Sequence, residues 1–256
     1  MKTYSIHGKV IKVYDSIDEM PIINFQKYNK YILLDSGLGS DLNSIDSHIV
    51  NLARLINTDQ KKAIQELQNL RQTMFLIINE LSPKYMAFAS LIYSVDGKKI
   101  ENLSDDNLKE VLFQIKEVPH SLIYDFLEWF KKKLTTELET YFPSDFCSPK
   151  EKEVYDRLKQ RTALVLDGIT NDKDNSESIH EIDAYLFSLY KPKSFSGSTS
   201  IEIQYDKQFE TTCMLISQKT GLVAKKMTVL EFYNTLGNIE KQAEAELKAC
   251  NKYKHK

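Results

Sequence analysis

Apolar residues recur at three- and four-residue intervals, the spacing of one face of an α-helix, in segment after segment between Ile22 and Cys250. Pro21 precedes Ile22, Phe25, Tyr28 and Ile32, and Gly37 supplies a stop. A second face carries Ile45, Ile49, Leu52 and Ile56, and a third carries Ile64, Leu67, Leu70, Met74, Ile78 and Leu81. Ser104 caps a helix through Leu108, Val111, Leu112 and Ile115. Pro119 opens a longer one, with Ile123, Phe126, Leu127, Phe130, Leu134, Leu138 and Tyr141 inward and Pro143 at its close.

Ser148-Pro149-Lys150-Glu151 is a capping box ahead of Val154, Tyr155, Leu158, Thr162, Val165 and Ile169. A short helix holds Ile182, Tyr185, Leu186 and Leu189. Thr228 and Glu231 box the last helix, whose stripe runs Val229, Phe232, Leu236, Ile239, Ala243, Leu247 and Cys250.

The period changes to two only briefly. Tyr4 and Ile6 lead to His7-Gly8 and then Val10, Ile11 and Val13, and Asp96-Gly97 sits between Ile92-Tyr93 and Lys99-Ile100, so two β-hairpins are predicted. Ile201, Ile203 and Tyr205 fit either a strand or the lead into a helix that stops at Gly221. Asn171–Ser178 and Lys191–Ser200 read as surface loops. The expected fold is therefore mainly α, a multi-helix bundle-like architecture with small hairpins near the N-terminus and around residues 91–100. Two regions are expected, 1–145 and 146–256, either separate or continuous.

At 256 residues, 42% hydrophobic and 27% charged, the chain is large enough to bury a core. A net charge of −2 supplies no global field for nucleic acid or an anionic membrane. The start shows no secretory leader pattern and no segment has the apolar length of a membrane span, so neither secretion nor membrane insertion is expected. Cys147, Cys213 and Cys250 form no CxxC pair and are expected as buried thiols rather than a disulfide framework.

No motif amounts to a catalytic or metal site, and none is assigned; no cofactor is expected. Asp35-Ser-Gly-Leu-Gly-Ser-Asp41 lacks the Lys of a phosphate loop, the third glycine of a dinucleotide loop and the ligand order of a calcium loop, and reads as a helix–helix corner capped by Asp41 or Ser44. His48 beside Ile45 and Leu52 reads as a hydrogen-bonded core histidine. The other histidines, His7, His120, His180 and His255, have no partner at ligand spacing. Lys131–Lys133, the basic residues of 251–256 and the acidic stretch Asp172–Asp183 read as solvated charge. Beyond Glu240 the last helix is nearly all polar around a thin stripe, which suits a seam with another subunit or packing on its own domain.

Several segments carry a wider likeness: EMPIINFQKYNKYILLDSGLGSD (19–41), ETYFP (139–143), LYKPKSF (189–195), IEIQYDKQFE (201–210) and MTVLEFYNTLGNIEK (227–241). Together they resemble uncharacterised proteins of tailed bacteriophages of gut bacteria, and the last is similar to the MTV-EFY ending of phage tail assembly chaperones. The resemblance implies a non-enzymatic virion or assembly protein of the head-to-tail or tail region, found in the virion or in the host cytoplasm during assembly. It implies partners that are other virion proteins or further copies of the chain. Phe232, Tyr233 and Leu247 are the expected contact residues. A tail assembly chaperone is one alternative, and a metal-dependent or nucleic-acid-binding factor using Asp35, Asp41, Asp46 and His48 is another.

Overall fold

Two hairpins far apart in the sequence join to build one sheet. In this computed structural model, which describes residues 1–6, 8–78, 82–143, 149–189 and 192–254, β1 (Lys2–Ile6) pairs with β2 (Lys9–Val13) and β3 (Ile92–Val95) with β4 (Lys98–Lys99). Asp96 and Gly97 have φ of 51° and 80°, the two positive values a two-residue type I′ turn requires. A lone hairpin is marginal in water, and here β2 pairs antiparallel with β3 to give the order β1-β2-β3-β4. That pairing buries Ile11, Val13 and Ile92. The expectations at His7, Leu81, Cys147, the Ser148 cap, Lys191 and His255, and at the side chain of Cys250, lie outside the described residues.

The rest is helical, so the mainly α class holds. The first part of the chain contributes α1 (Ile22–Gly37), α2 (Leu42–Leu55), α3 (Gln60–Ile78), α4 (Pro83–Ser90), α5 (Asp105–Gln114) and α6 (His120–Tyr141). After these come α7 (Pro149–Asn171), α8 (Ser176–Ser188), α9 (Ile201–Thr220), a 3-10 turn (Ala224–Lys226) and α10 (Val229–Lys254). Among the described residues no helix is long and apolar enough to cross a membrane.

The chain divides into two compact units, but not at the expected boundary near 145. One unit holds residues 1–137 together with 193–256, and the other holds 138–192. The C-terminal segment belongs with the N-terminal one because backbone bonds tie them. Ile22 N–H donates to the Met227 carbonyl, Val229 N–H to Met20 and Leu230 N–H to Ile17, at 2.9–3.0 Å.

In the first unit an aromatic cluster forms the centre: Tyr28 meets Phe130 edge-on at 5.2 Å, Phe88 meets Phe126 at 5.5 Å, and Phe126 stacks on Phe130. The inward residues predicted for α5 and α6 are buried, save Leu112, which is half-buried, and Tyr141, which is exposed. Ser104 caps α5, and Thr228 and Glu231 make the reciprocal bonds of a capping box at α10. The open segment after Ser200 is helix, with Ser200 as its cap and Gly221 as its left-handed stop.

Gly37 plays a different part from the one expected. It is the last residue of α1 with helical backbone, and its lack of a side chain makes room for the Phe195 ring, since a Cβ there would lie 2.1 Å from Phe195 Cζ. The left-handed turn falls on Gly39 instead, at φ 67°.

In the second unit α7 and α8 are joined by the turn at 172–175, so Ser176–Ser178, expected as loop, begin α8. Arg161 donates two hydrogen bonds to Asp183, Arg157 lies over the Tyr185 ring, and Asn175 donates to the Leu164 carbonyl. Tyr155, Leu158 and Ile169, predicted inward, are exposed.

Candidate functional site

Helices α2 and α3 form an antiparallel pair joined by a short corner, and they bury the wrong-looking residues. The face of α3 turned inward carries Ala63, Glu66, Asn69 and Thr73, and that of α2 carries His48 and Leu55. The side chain of Glu66 has no exposure at all. These buried polar groups are satisfied by one another and by backbone, as burial demands. His48 Nδ1 lies 2.8 Å from Glu66 Oε1 and His48 Nε2 lies 3.0 Å from the Leu38 carbonyl. Asn51 donates to Glu66, Thr73 donates to the Leu38 carbonyl at 2.7 Å, and Asn69 donates to the Lys193 carbonyl at 2.9 Å.

Both ring nitrogens of His48 face acceptors, an arrangement that only the doubly protonated imidazolium fills with donors. Burial works against the charge, but the Glu66 carboxylate and the Leu38 carbonyl outweigh it and raise the His48 pKa above its ordinary 6.5. His48 is thus the core histidine its position predicts.

Of the stripes expected to be core, Ile49, Ile56, Ile64, Leu67, Met74 and Ile78 are exposed, while Ile45, Leu52 and Leu70 are half-buried. Leu42, Ile49, Val50 and Ile56 of the α2 side, and Ile64, Leu67, Met74, Phe75 and Ile78 of α3, run from 47% exposed at Met74 to 75% at Ile78. The periodicity identifies the helices correctly but not the side that the core takes. Polar residues with matched partners occupy the inward face, which leaves the apolar stripe facing water. Contiguous apolar surface of this kind is uncommon on a monomer and marks contact sites.

The four residues of the metal-factor alternative do not converge. Asp35 and Asp41 line one open cleft of about 360 Å³, with Lys84, Tyr85, His120 and Tyr124. Asp41 is the N-cap of α2, its carboxylate accepting from Ser44 N–H at 2.8 Å. Asp46 lies exposed on α2, and His48 is committed to Glu66 and Leu38. Among the described residues no group of three or more His, Cys, Asp or Glu is placed to hold a metal ion.

The cleft itself assembles residues that no sequence motif links. Lys84 Nζ is 3.7 Å from Asp35 and 5.1 Å from the Tyr124 ring centre, and the Tyr85 hydroxyl bonds His120 Nδ1. Burial raises the Asp35 carboxyl above its usual range, with Lys84 pulling against it, and burial pushes the Tyr85 hydroxyl up to about 12.

The three expected contact residues of the last helix separate. Phe232, 4% exposed, stacks on Phe209 inside the chain's own core, and Tyr233 sets its ring edge-on against Phe25 at 6.2 Å. Leu247 is 64% exposed, in a stretch where every residue from 240 to 249 is exposed. Of the three, Leu247 is the residue presented outward.

Comparison with protein-family models, with curated proteins and with solved structures finds no match to this chain.

Proposed function

We propose that this chain is a non-enzymatic structural or assembly protein that works through protein–protein contacts. The observation that carries the reading is the inverted α2–α3 pair, with Glu66, His48 and Thr73 inside and Ile49, Leu67, Met74 and Ile78 outside. Apolar side chains left in water cost free energy that a partner recovers by covering them, at about 25 cal/mol per Å². The exposed end of α10 around Leu247 offers a second, thinner seam.

The likeness of 19–41 and 227–241 to tailed-phage proteins supports virion assembly as the setting, in the head-to-tail or tail region. The other partners are then virion or assembly proteins. Mass spectrometry of purified particles and assembly intermediates of a phage encoding the chain tests this. The reading expects a fixed copy number in one or the other, and absence from both would overturn it.

A further inference from the structure

We propose that the cleft between the α1–α2 corner and the first turns of α4 and α6 binds an organic ammonium, a primary amine on a short alkyl stem.

Charge selects a cation. Asp35 from α1 and Asp41 from the corner put two carboxylates on the cleft, and Lys84 is the one lysine among its lining residues. Lys131, which also acts on Asp35, lies outside the lining. Burial and the charge of Asp41 both disfavour the ionised form of Asp35, and Lys84 works against them. A second cation beside the two carboxylates relieves that repulsion, whereas an anion would add to it.

Hydrogen bonding then selects an ammonium. Ser44 takes Oδ1 of Asp41 with both its N–H and its hydroxyl, at 2.8 and 2.6 Å, and among the described residues nothing bonds Oδ2. The Lys84 ammonium stands 3.7 Å from Asp35, beyond a normal hydrogen bond, so a better-placed donor can displace it. The hydroxyls of Ser40 and Ser82 add acceptors to the lining, and the Ser82 side chain makes no capping bond to α4. A primary ammonium, with three donors and no acceptor, is the match to such a set. Among the described residues no third carboxylate, His or Cys is placed with the two aspartates to hold a metal ion instead.

The walls suit the stem. The Tyr85 and Tyr124 rings lie 6.2 Å apart, and Tyr124 already has Lys84 Nζ 5.1 Å from its centre, a ring position that attracts cations. Leu76 and Ile77 of α3 supply apolar lining, and about 360 Å³ holds one small ligand.

Titration of the isotope-labelled full chain with n-butylamine, followed by NMR at neutral pH, tests this, with butyrate as the anionic counterpart. The amine should give saturable shifts centred on Asp41, Ser82 and Lys84, with a Kd on the order of 1 mM, and butyrate should give none. Asp41→Asn, which keeps an α2 cap but not the charge, and Asp35→Asn should each weaken binding by about tenfold. Lys84→Met, which removes the competing cation, should tighten it by about tenfold, a sign that an anion site would reverse. The melting temperature of each variant reports that the fold is kept. No saturable shift at the cleft, a butyrate response equal to that of the amine, or weaker amine binding by a folded Lys84→Met variant would overturn the proposal. Putrescine and Nα-acetyl-lysine methylamide separate the sources of the ammonium. Tighter binding of putrescine would assign the cleft to a free polyamine, and blocked lysine bound at least as tightly would assign it to a lysine side chain of another protein.

Discussion

Glu66 is a fully buried carboxylate whose partner lies one helix away, so the bond to His48 ties α3 to α2. Removing one member of a buried ion pair strands the other, so Glu66→Ala should cost about 3–5 kcal/mol in chemical denaturation. The pair also sets a pH dependence. The His48 pKa is raised in the folded chain, so its contribution is complete below the ordinary histidine value and is lost as pH rises through the folded one. Melting temperature should therefore fall as pH rises above the ordinary histidine value of 6.5, and Glu66→Gln, which keeps an acceptor but not the charge, should flatten that fall. Gly37 gives a third expectation at this scale. Alanine there gains about 1 kcal/mol of helix propensity, but its Cβ meets the buried Phe195 ring, and overpacking costs about 1–3 kcal/mol, so Gly37→Ala should be destabilising. His48 was legible as a core histidine from its place beside Ile45 and Leu52. Glu66 was not, because a glutamate on an apolar-striped helix reads as solvated until its partner is in view.

The helices divide into those whose apolar stripe is the core and those whose stripe is a surface. On α5, Leu108 is fully buried, and Leu108→Ala should cost about 2–5 kcal/mol. On α3, Ile64 follows the same spacing yet is about half exposed, and Ile64→Ser should move monomer stability by no more than about 0.5 kcal/mol, a contrast readable in one urea series. Local chemistry was legible wherever it acts within a few residues: the Thr228–Glu231 box, the Ser104 cap, the Asp96-Gly97 turn and the Gly221 stop all stand as their residue types dictate. Which side of α2 and α3 faces inward was not, because amphipathicity reports that a stripe will be covered and is silent on whether the cover is the same chain.

For the molecule as a whole, the return of residues 193–256 to the first unit was hidden, since backbone bonds such as Val229 to Met20 leave no trace in composition or periodicity. They make the C-terminal segment unequal in its parts. Ending the chain after Lys241 removes an exposed stretch of α10 and should leave the melting temperature within a few degrees. Ending it after Val223 removes Val229 and Phe232 from the core and should abolish cooperative melting. The α2–α3 pair keeps polar groups inside and apolar ones outside, and hydroxyl-radical footprinting of the dilute protein reads this directly at Met74 and Phe75. Both should be modified at the rate of exposed side chains, far faster than buried Phe88 and Met20. Met74 and Phe75 as slow as Phe88 in dilute solution would mean that the apolar stripe is core, and would contradict the account.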